Sequence, residues 1–429
     1  MDNMVNIETT MTTTAEPVTK MEKTRNIITM AVFLVISFGL FLAFFIMPSS
    51  DFSRTERRPM ASFPSAALNE PESRNGYDGS WWRYFVGGTL MANFEVFMQD
   101  QFPLREQFRT SNAVMNHWVI QLRDNNGNFF SNGHLAQLDY RLNEQYVHRN
   151  AAAFARIMRD MFPDNNIFYA VIPDKNYFLA APNGFLHLDY AEMMRIIHYH
   201  LGDLAEYIDL FDIMSLDDFY RTDIHWRQEN LFPVARELAE RMGVTRPDPT
   251  DFTTNNIPGF FGSWHGHAAL PIRPDVLVYM ASRYTRGARV QRFDYRAAVW
   301  DFVDYVTVGG VQHPLEVHMR FLFDSPYSLD GYDVFLGGLQ PVMTIENPYA
   351  TTDRELIMFR DSFGSNLAPL LIGSYSRITL IDPRLVGPQA LAGIPGRLTG
   401  VLEMLELGDN VDVLFLYSTT MFNIRPVHG

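Results

Sequence analysis

The chain has 429 residues, 47% hydrophobic and 20% charged, which allows a large folded core and excludes global disorder. Its formal charge of −14 argues against nucleic acid or an anionic membrane surface as the main partner. Cysteine is absent, so disulfides and thiolate metal centres are excluded, as suits an exported bacterial protein. Bases are almost all arginine; Lys20, Lys23 and Lys175 are the only lysines.

Residues 1–25 read as a disordered cytoplasmic tail, rich in Thr, Glu and Met without periodicity. Ile27 to Met47 is an unbroken apolar run without charge, long enough to cross a bilayer as a helix, and 26–48 is assigned as a transmembrane anchor. Lys20, Lys23 and Arg25 just before it predict a cytoplasmic N-terminus and an extracytoplasmic remainder. A cleaved signal peptide fits less well. The run is longer than a typical signal core, and Pro48-Ser49-Ser50-Asp51 lacks a small-x-small site. Residues 49–88, with Arg57-Arg58-Pro59, Phe63-Pro64 and an Asn75-Gly76 turn signal, read as an extended lead-in.

The remaining residues, 89–429, form the main domain. A helical pattern runs from Thr89 to Arg123, broken at Phe102-Pro103-Leu104-Arg105, and the segment from Gly127 to Leu135 reads as a tight hairpin. Helices are predicted over Ala151 to Phe162, Ala191 to Leu201 and Gln228 to Met242, the last closed by Gly243. Asn166 to Ile172 is a nearly continuous apolar strand, the mark of a buried parallel position, and Tyr207 to Leu210 reads as another strand. Strands at Glu355 to Phe359, Ile378 to Ile381 and Val411 to Tyr417 alternate with helices at Asn366 to Ile372 and Thr399 to Leu407. Such alternation predicts an α/β fold, a mostly parallel sheet with helices on both faces. About 251–349 the pattern shifts to short aromatic and β-branched runs, read as a β-rich insertion.

Two short stretches carry candidate chemistry. In Thr222-Asp223-Ile224-His225-Trp226, an Asp and a His two apart in an extended segment would point to the same side. In Arg360-Asp361-Ser362-Phe363, the serine follows a buried strand and precedes a helix, at the sheet edge where open α/β folds bind ligands. A base oriented by an acid and within reach of a hydroxyl is what an activated serine needs. The helix start would offer backbone N–H groups to an oxyanion. The plainer alternative is that Asp361 or Ser362 only caps that helix.

These residues resemble the DHHW proteins, which are similar to the alginate O-acetyltransferases of the permuted SGNH-hydrolase superfamily. The first stretch resembles their Thr-Asp-x-His-Trp signature and the second their basic-Asp-Ser-aromatic signature. Agreement extends to Gln101-Phe102-Pro103-Leu104-Arg105, Gly133-His134-Leu135, Pro173-Asp174-Lys175, Tyr332-Asp333-Val334-Phe335-Leu336-Gly337-Gly338 and Ile381-Asp382-Pro383-Arg384. The resemblance spans roughly Ser53 to Tyr417 and implies an SGNH-like domain with Ser362 as nucleophile, His225 as base and Asp223 as its orienting acid. It further implies transfer of an acetyl group to a polysaccharide acceptor, with a membrane-bound O-acyltransferase as donor and no cofactor. Lys175, Gly338, Asn366 and Arg360 are expected at the substrate. Two departures stand out: Ile224 replaces the family's second His, and Leu339 replaces the Asn that usually follows Gly-Gly. Rival readings are a carbohydrate acetyl esterase with the same three residues and a non-catalytic envelope scaffold.

Other features have ordinary explanations. His265-Gly266-His267 and His198-Tyr199-His200 lack carboxylates at metal-ligand spacing, so no metal site is expected. Trp264, Tyr279 and Tyr284 would fill a β core or stack on sugars. Trp226 is expected to pack behind His225 and fix its ring.

Overall fold

The computed structural model describes residues 19–63, 88–125, 127–293, 302–325, 328, 330–385 and 398–425. The chain divides into two units, Met1–Ser53 with Pro59–Phe108, and Arg54–Arg58 with Arg109–Gly429. In the first, Lys20–Ile46 is a helix whose Thr19 and Glu22 cap its start reciprocally. It is long and apolar enough to cross a membrane, which fits a single-pass anchor. Residues 1–18 of the expected tail and the Asn75-Gly76 turn lie outside the described residues.

The second unit is built on an eight-stranded sheet. In chain order the strands are β1 (Asn166–Ile172), β2 (Glu206–Ile208), β3 (Arg289–Phe293), β4 (Phe302–Val303), β5 (Val342–Glu346), β6 (Glu355–Arg360), β7 (Arg377–Ile381) and β8 (Val411–Ser418). Their spatial order is β4-β3-β5-β7-β6-β8-β1-β2. From β7 to β2 every pairing is parallel, whereas β5, β3 and β4 add on antiparallel. Strands β3 to β5 come from the region read as an insertion, which thus supplies one wing of the main sheet as well as two separate hairpins.

The apolar runs follow from burial on both faces. Along β1, Phe168, Ala170 and Ile172 enter one core cluster while Tyr169 and Val171 enter another. β6 and β8 alternate in the same way, with Leu356 and Met358 against Ile357 and Phe359, and Leu414 and Leu416 against Val413 and Phe415. The helices α1 (Glu144–Met161) and α2 (Tyr190–Leu201) cover the second cluster. Each begins at a side-chain cap: Asn143 accepts from the Tyr146 N–H and Asp189 from the Glu192 N–H. The helices α3 (Phe232–Arg241) and α4 (Gly364–Leu371) pack into the first.

Chain order places the candidate serine. From β6 the chain runs through α4 to β7 on one side, then returns to β8 on the other. The carboxyl end of β6 is therefore a switch point, where such sheets open a crevice.

Candidate active site

Beyond Arg360 the chain turns sharply into α4. Asp361 makes that turn: its Oδ1 accepts the Phe363 N–H at 3.0 Å, and its Oδ2 accepts the Ser418 N–H and hydroxyl at 2.9 and 2.8 Å. The carboxylate thus ties the serine turn to the end of the neighbouring strand β8. Phe363 stands at the helix cap position with no side-chain cap bond, and Ser362 does not cap α4. Its partly exposed hydroxyl meets His225 instead.

His225 Nε2 lies 2.7 Å from Ser362 Oγ, and His225 Nδ1 lies 2.5 Å from Asp223 Oδ1. The three side chains form one continuous hydrogen-bonded chain, with His225 and Ser362 137 residues apart in sequence. The local geometry differs from the extended segment expected. Residues Thr222 to His225 form a bend, and Asp223 Oδ1 accepts both the His225 backbone N–H, at 3.0 Å, and the ring nitrogen. An Asp bonding the N–H two residues on is an Asx turn, so a closed turn rather than strand alternation brings the pair together.

Neighbours hold this bend from several sides. Asp223 Oδ2 accepts the Ser263 N–H at 2.7 Å, and Asp275 Oδ2 accepts the Thr222 N–H and hydroxyl at 2.9 and 2.6 Å. The Gly262 N–H donates to the Thr222 hydroxyl, and a Cβ on Gly262 would stand 2.3 Å from Asp223 Cβ. Only glycine allows that approach. Burial works to raise the Asp223 carboxyl, but His225 and the hydrogen bonds outweigh it and hold the group well below the usual carboxylate range. The imidazole is flanked by Tyr332, stacked with centroids 3.9 Å apart and planes 8° from parallel, and by the tilted ring of Phe363. Trp226 is buried behind, donating its indole N–H to Phe363 O and Asn366 Oδ1, and so links base and serine segments.

Not every expected site residue reaches the crevice. Lys175 is fully buried, and its ammonium donates to the carbonyls of Leu135, Tyr220 and Asp223 at 2.9, 2.6 and 2.6 Å. All three of its hydrogens are thereby used on backbone carbonyls of the bend, the residues before it and the adjoining hairpin, and burial pushes the amine down to about 7. Arg360 is also fully buried beneath Gly364, with Nη1 donating to Asp361 O while Nε and Nη2 have no hydrogen-bond partner among the described residues. Asn366 spends its amide on Trp226, accepting the indole N–H and donating to the backbone carbonyl. Gly338 is a left-handed residue (φ 84°) whose N–H donates to Phe335 O, and its Cα lies against the Asp333 carboxyl. Burial and Asp330 push that carboxyl up to about 7.

The N–H groups expected to serve an oxyanion are also occupied. Those of Phe363, Gly364 and Ser365 donate to Asp361 Oδ1, Asp361 O and Ser362 O. The sequence reading gave no role to Tyr332, Asp275 or Gly262, although Tyr332 lies in a quoted motif. The His198–His200 pair lies on α2, where His198 bonds Tyr169 and His200 bonds His148. Among the described residues no three His, Asp or Glu side chains converge as a metal site.

No family model and no curated protein sequence matches this chain. Among solved structures, a DHHW family protein from Eubacterium siraeum matches with TM-score 0.54 and 19% identity, over 71% of this chain and 94% of that one. The chain carries the fold of a DHHW family protein. Bacillus cereus PatB1, solved free and with a sulfonyl adduct, has the same fold, with TM-scores of 0.52 and 0.51 at 14% identity. It covers 70% of this chain, and 97% and 99% of the PatB1 chains. The O-acetyltransferase domain of Pseudomonas putida AlgJ matches less well, with TM-score 0.37 and 15% identity over 70% of this chain and 93% of that one.

Proposed function

We propose that this chain is a membrane-anchored serine O-acetyltransferase acting on a cell-surface or secreted polysaccharide. The reading rests above all on the continuous contact Asp223–His225–Ser362, with the serine partly exposed at the carboxyl end of a central parallel strand. The N-terminal helix lies in the membrane, with the N-terminus cytoplasmic and the main domain outside.

In the first half-reaction Ser362 Oγ attacks the acyl carbonyl of the donor as His225 Nε2 takes its proton. The tetrahedral adduct collapses, breaking the bond to the donor's leaving oxygen, which receives that proton. In the second, Nε2 takes the proton of a sugar hydroxyl, whose oxygen attacks the acyl-serine. Ser362 then leaves and recovers its proton from His225. Asp223, held ionised, stabilises the imidazolium in both halves and fixes its tautomer. Cytosolic acyl thioesters do not reach an extracytoplasmic site, so the donor is a membrane-bound O-acyltransferase that passes acetyl groups outward.

The test uses the full chain in detergent with an activated acetyl ester. Ser362→Ala should abolish acetyl turnover, and Asp223→Asn should impair it strongly. Adding an oligosaccharide acceptor should divert acetyl from water to sugar hydroxyls, since a bound hydroxyl is oriented and bulk water is not. Hydrolysis unchanged across a panel of acceptors would identify an esterase. Turnover undiminished in Ser362→Ala would remove this site altogether.

A further inference from the structure

Many arginines of this acidic chain sit in ion pairs, among them Arg195 with Glu192, Arg241 with Glu206, Arg354 with Asp412 and Arg377 with Glu355. Three on the outer face of α1 differ. Arg149, Arg156 and Arg159 are exposed, and no ion pair or side-chain hydrogen bond ties them to any described residue. Their spacing puts them on one stripe, with Ala152 and Ala155 between them, extending about 15 Å along the helix. Like charges this close on a helix oppose its stability slightly, and only Arg159, in the last turn, gains from the helix dipole.

Across from this stripe, α2 and the residues after it present Tyr199, His200, Asp203 and Leu204. The two sets enclose a cleft of about 850 Å³. The alanines form its floor and the long side chains its walls. Tyr199 is 75% exposed, an aromatic ring held in solvent beside the arginines. His200 is fixed at the edge by its 3.0 Å contact to His148. None of the residues of the Asp223–His225–Ser362 chain lines the cleft.

We propose that this cleft binds a carboxylate-bearing saccharide segment, gripping the acceptor polysaccharide at a distance from the reacting hydroxyl. Each guanidinium offers the planar fork that matches a carboxylate, and three in a row suit a linear polymer with recurring carboxylates. The exposed Tyr199 ring gives a sugar face something to stack on, and Asp203 accepts from sugar hydroxyls. That the saccharide is the acceptor rests on the acyltransferase reading; the binding does not.

The experiment is calorimetric titration of hexagalacturonate into the full chain carrying Ser362→Ala, in neutral detergent at low ionic strength. Saturable binding is expected, weakening with added salt. The neutral cellohexaose, and separately the further change Arg156→Gln with Arg159→Gln, should each lower affinity by about tenfold or more at an unchanged melting temperature. Absent uronate binding, or binding indifferent to the two arginines, overturns the proposal. Tighter binding of glycerol phosphate at the same arginines overturns it too, making the cleft a site for anionic lipid headgroups. Turnover plays no part in this measurement. A chain that transfers acetyl but ignores uronate would refute only the cleft, and one that grips uronate but transfers nothing would refute only the acyltransferase reading.

Discussion

The two arms of the candidate site are held by different means. The serine arm is part of the sheet: Ser362 follows the central strand β6, and Asp361 fastens its turn to β8 through backbone and side chain. The base arm, from Tyr220 to His225, belongs to no strand of the eight-stranded sheet. It is suspended by Lys175, Asp275, Gly262 and Ser263, and flanked by Tyr332. Position in the serine arm is thus over-determined by the core sheet, whereas the base arm beyond buried Tyr220 depends on a few polar contacts. Substitutions distant in sequence should therefore damage the base arm more than comparable changes beside the serine.

The largest contrast should come from Gly262→Ala against Ser418→Ala. The new Cβ at 262 meets Asp223 and the Thr222 carbonyl at 2.3–2.4 Å and must displace the acid. A shift near 1 Å should lower kcat about 100-fold. Ser418→Ala removes one donor to Asp361 and leaves two N–H donors, so it should cost about 1 kcal/mol of stability and change kcat little. Equal kcat losses in the two variants would refute the contrast.

Next in size is Lys175→Met. It leaves three carbonyls of the base arm and adjoining hairpin without their donor and should destabilise the protein by about 3 kcal/mol. A melting temperature lower by roughly 4 °C is expected. An unchanged melting temperature would mean that Lys175 is free to serve substrate rather than the bend.

The last contrast is one of pH dependence and concerns Asp333, whose carboxyl is raised from 3.8 to about 7 beside the base arm. A group raised on folding contributes stability that is full below its unfolded value and is lost as pH rises through the folded one. Asp333→Asn removes this dependence. The variant's melting temperature relative to wild type should therefore rise between about pH 4 and pH 8. A constant difference across that window would show that Asp333 is not buried as described.

This division also explains what could be read from the sequence. Strands β1, β6, β7 and β8 were legible because burial on both faces leaves an almost unbroken apolar run, and Ser362 was legible from its place after one of them. Asp223 and His225 were legible only through the short motif, and their geometry was misjudged. An Asx turn and an extended strand both bring residues i and i+2 together, so spacing could not separate them. The supports of the base arm lie 40 to 53 residues away and carried no local signal. Lys175 and Arg360 misled for another reason. Charged side chains are rarely buried without an ion pair, so exposure and substrate contact were the natural expectation. Their burial is set by tertiary packing that composition does not show.

The most direct test of the central claim is covalent labelling of the full chain with an aryl sulfonyl fluoride, read by intact mass and peptide mapping. A sulfonyl fluoride reacts with a serine hydroxyl that a neighbouring base has activated, so it reports directly on Ser362 and His225. The account predicts a single adduct on Ser362, formed at least about 100-fold more slowly in His225→Gln, where no base takes the serine proton. An adduct on any other residue, or labelling of Ser362 at full rate without His225, would contradict it.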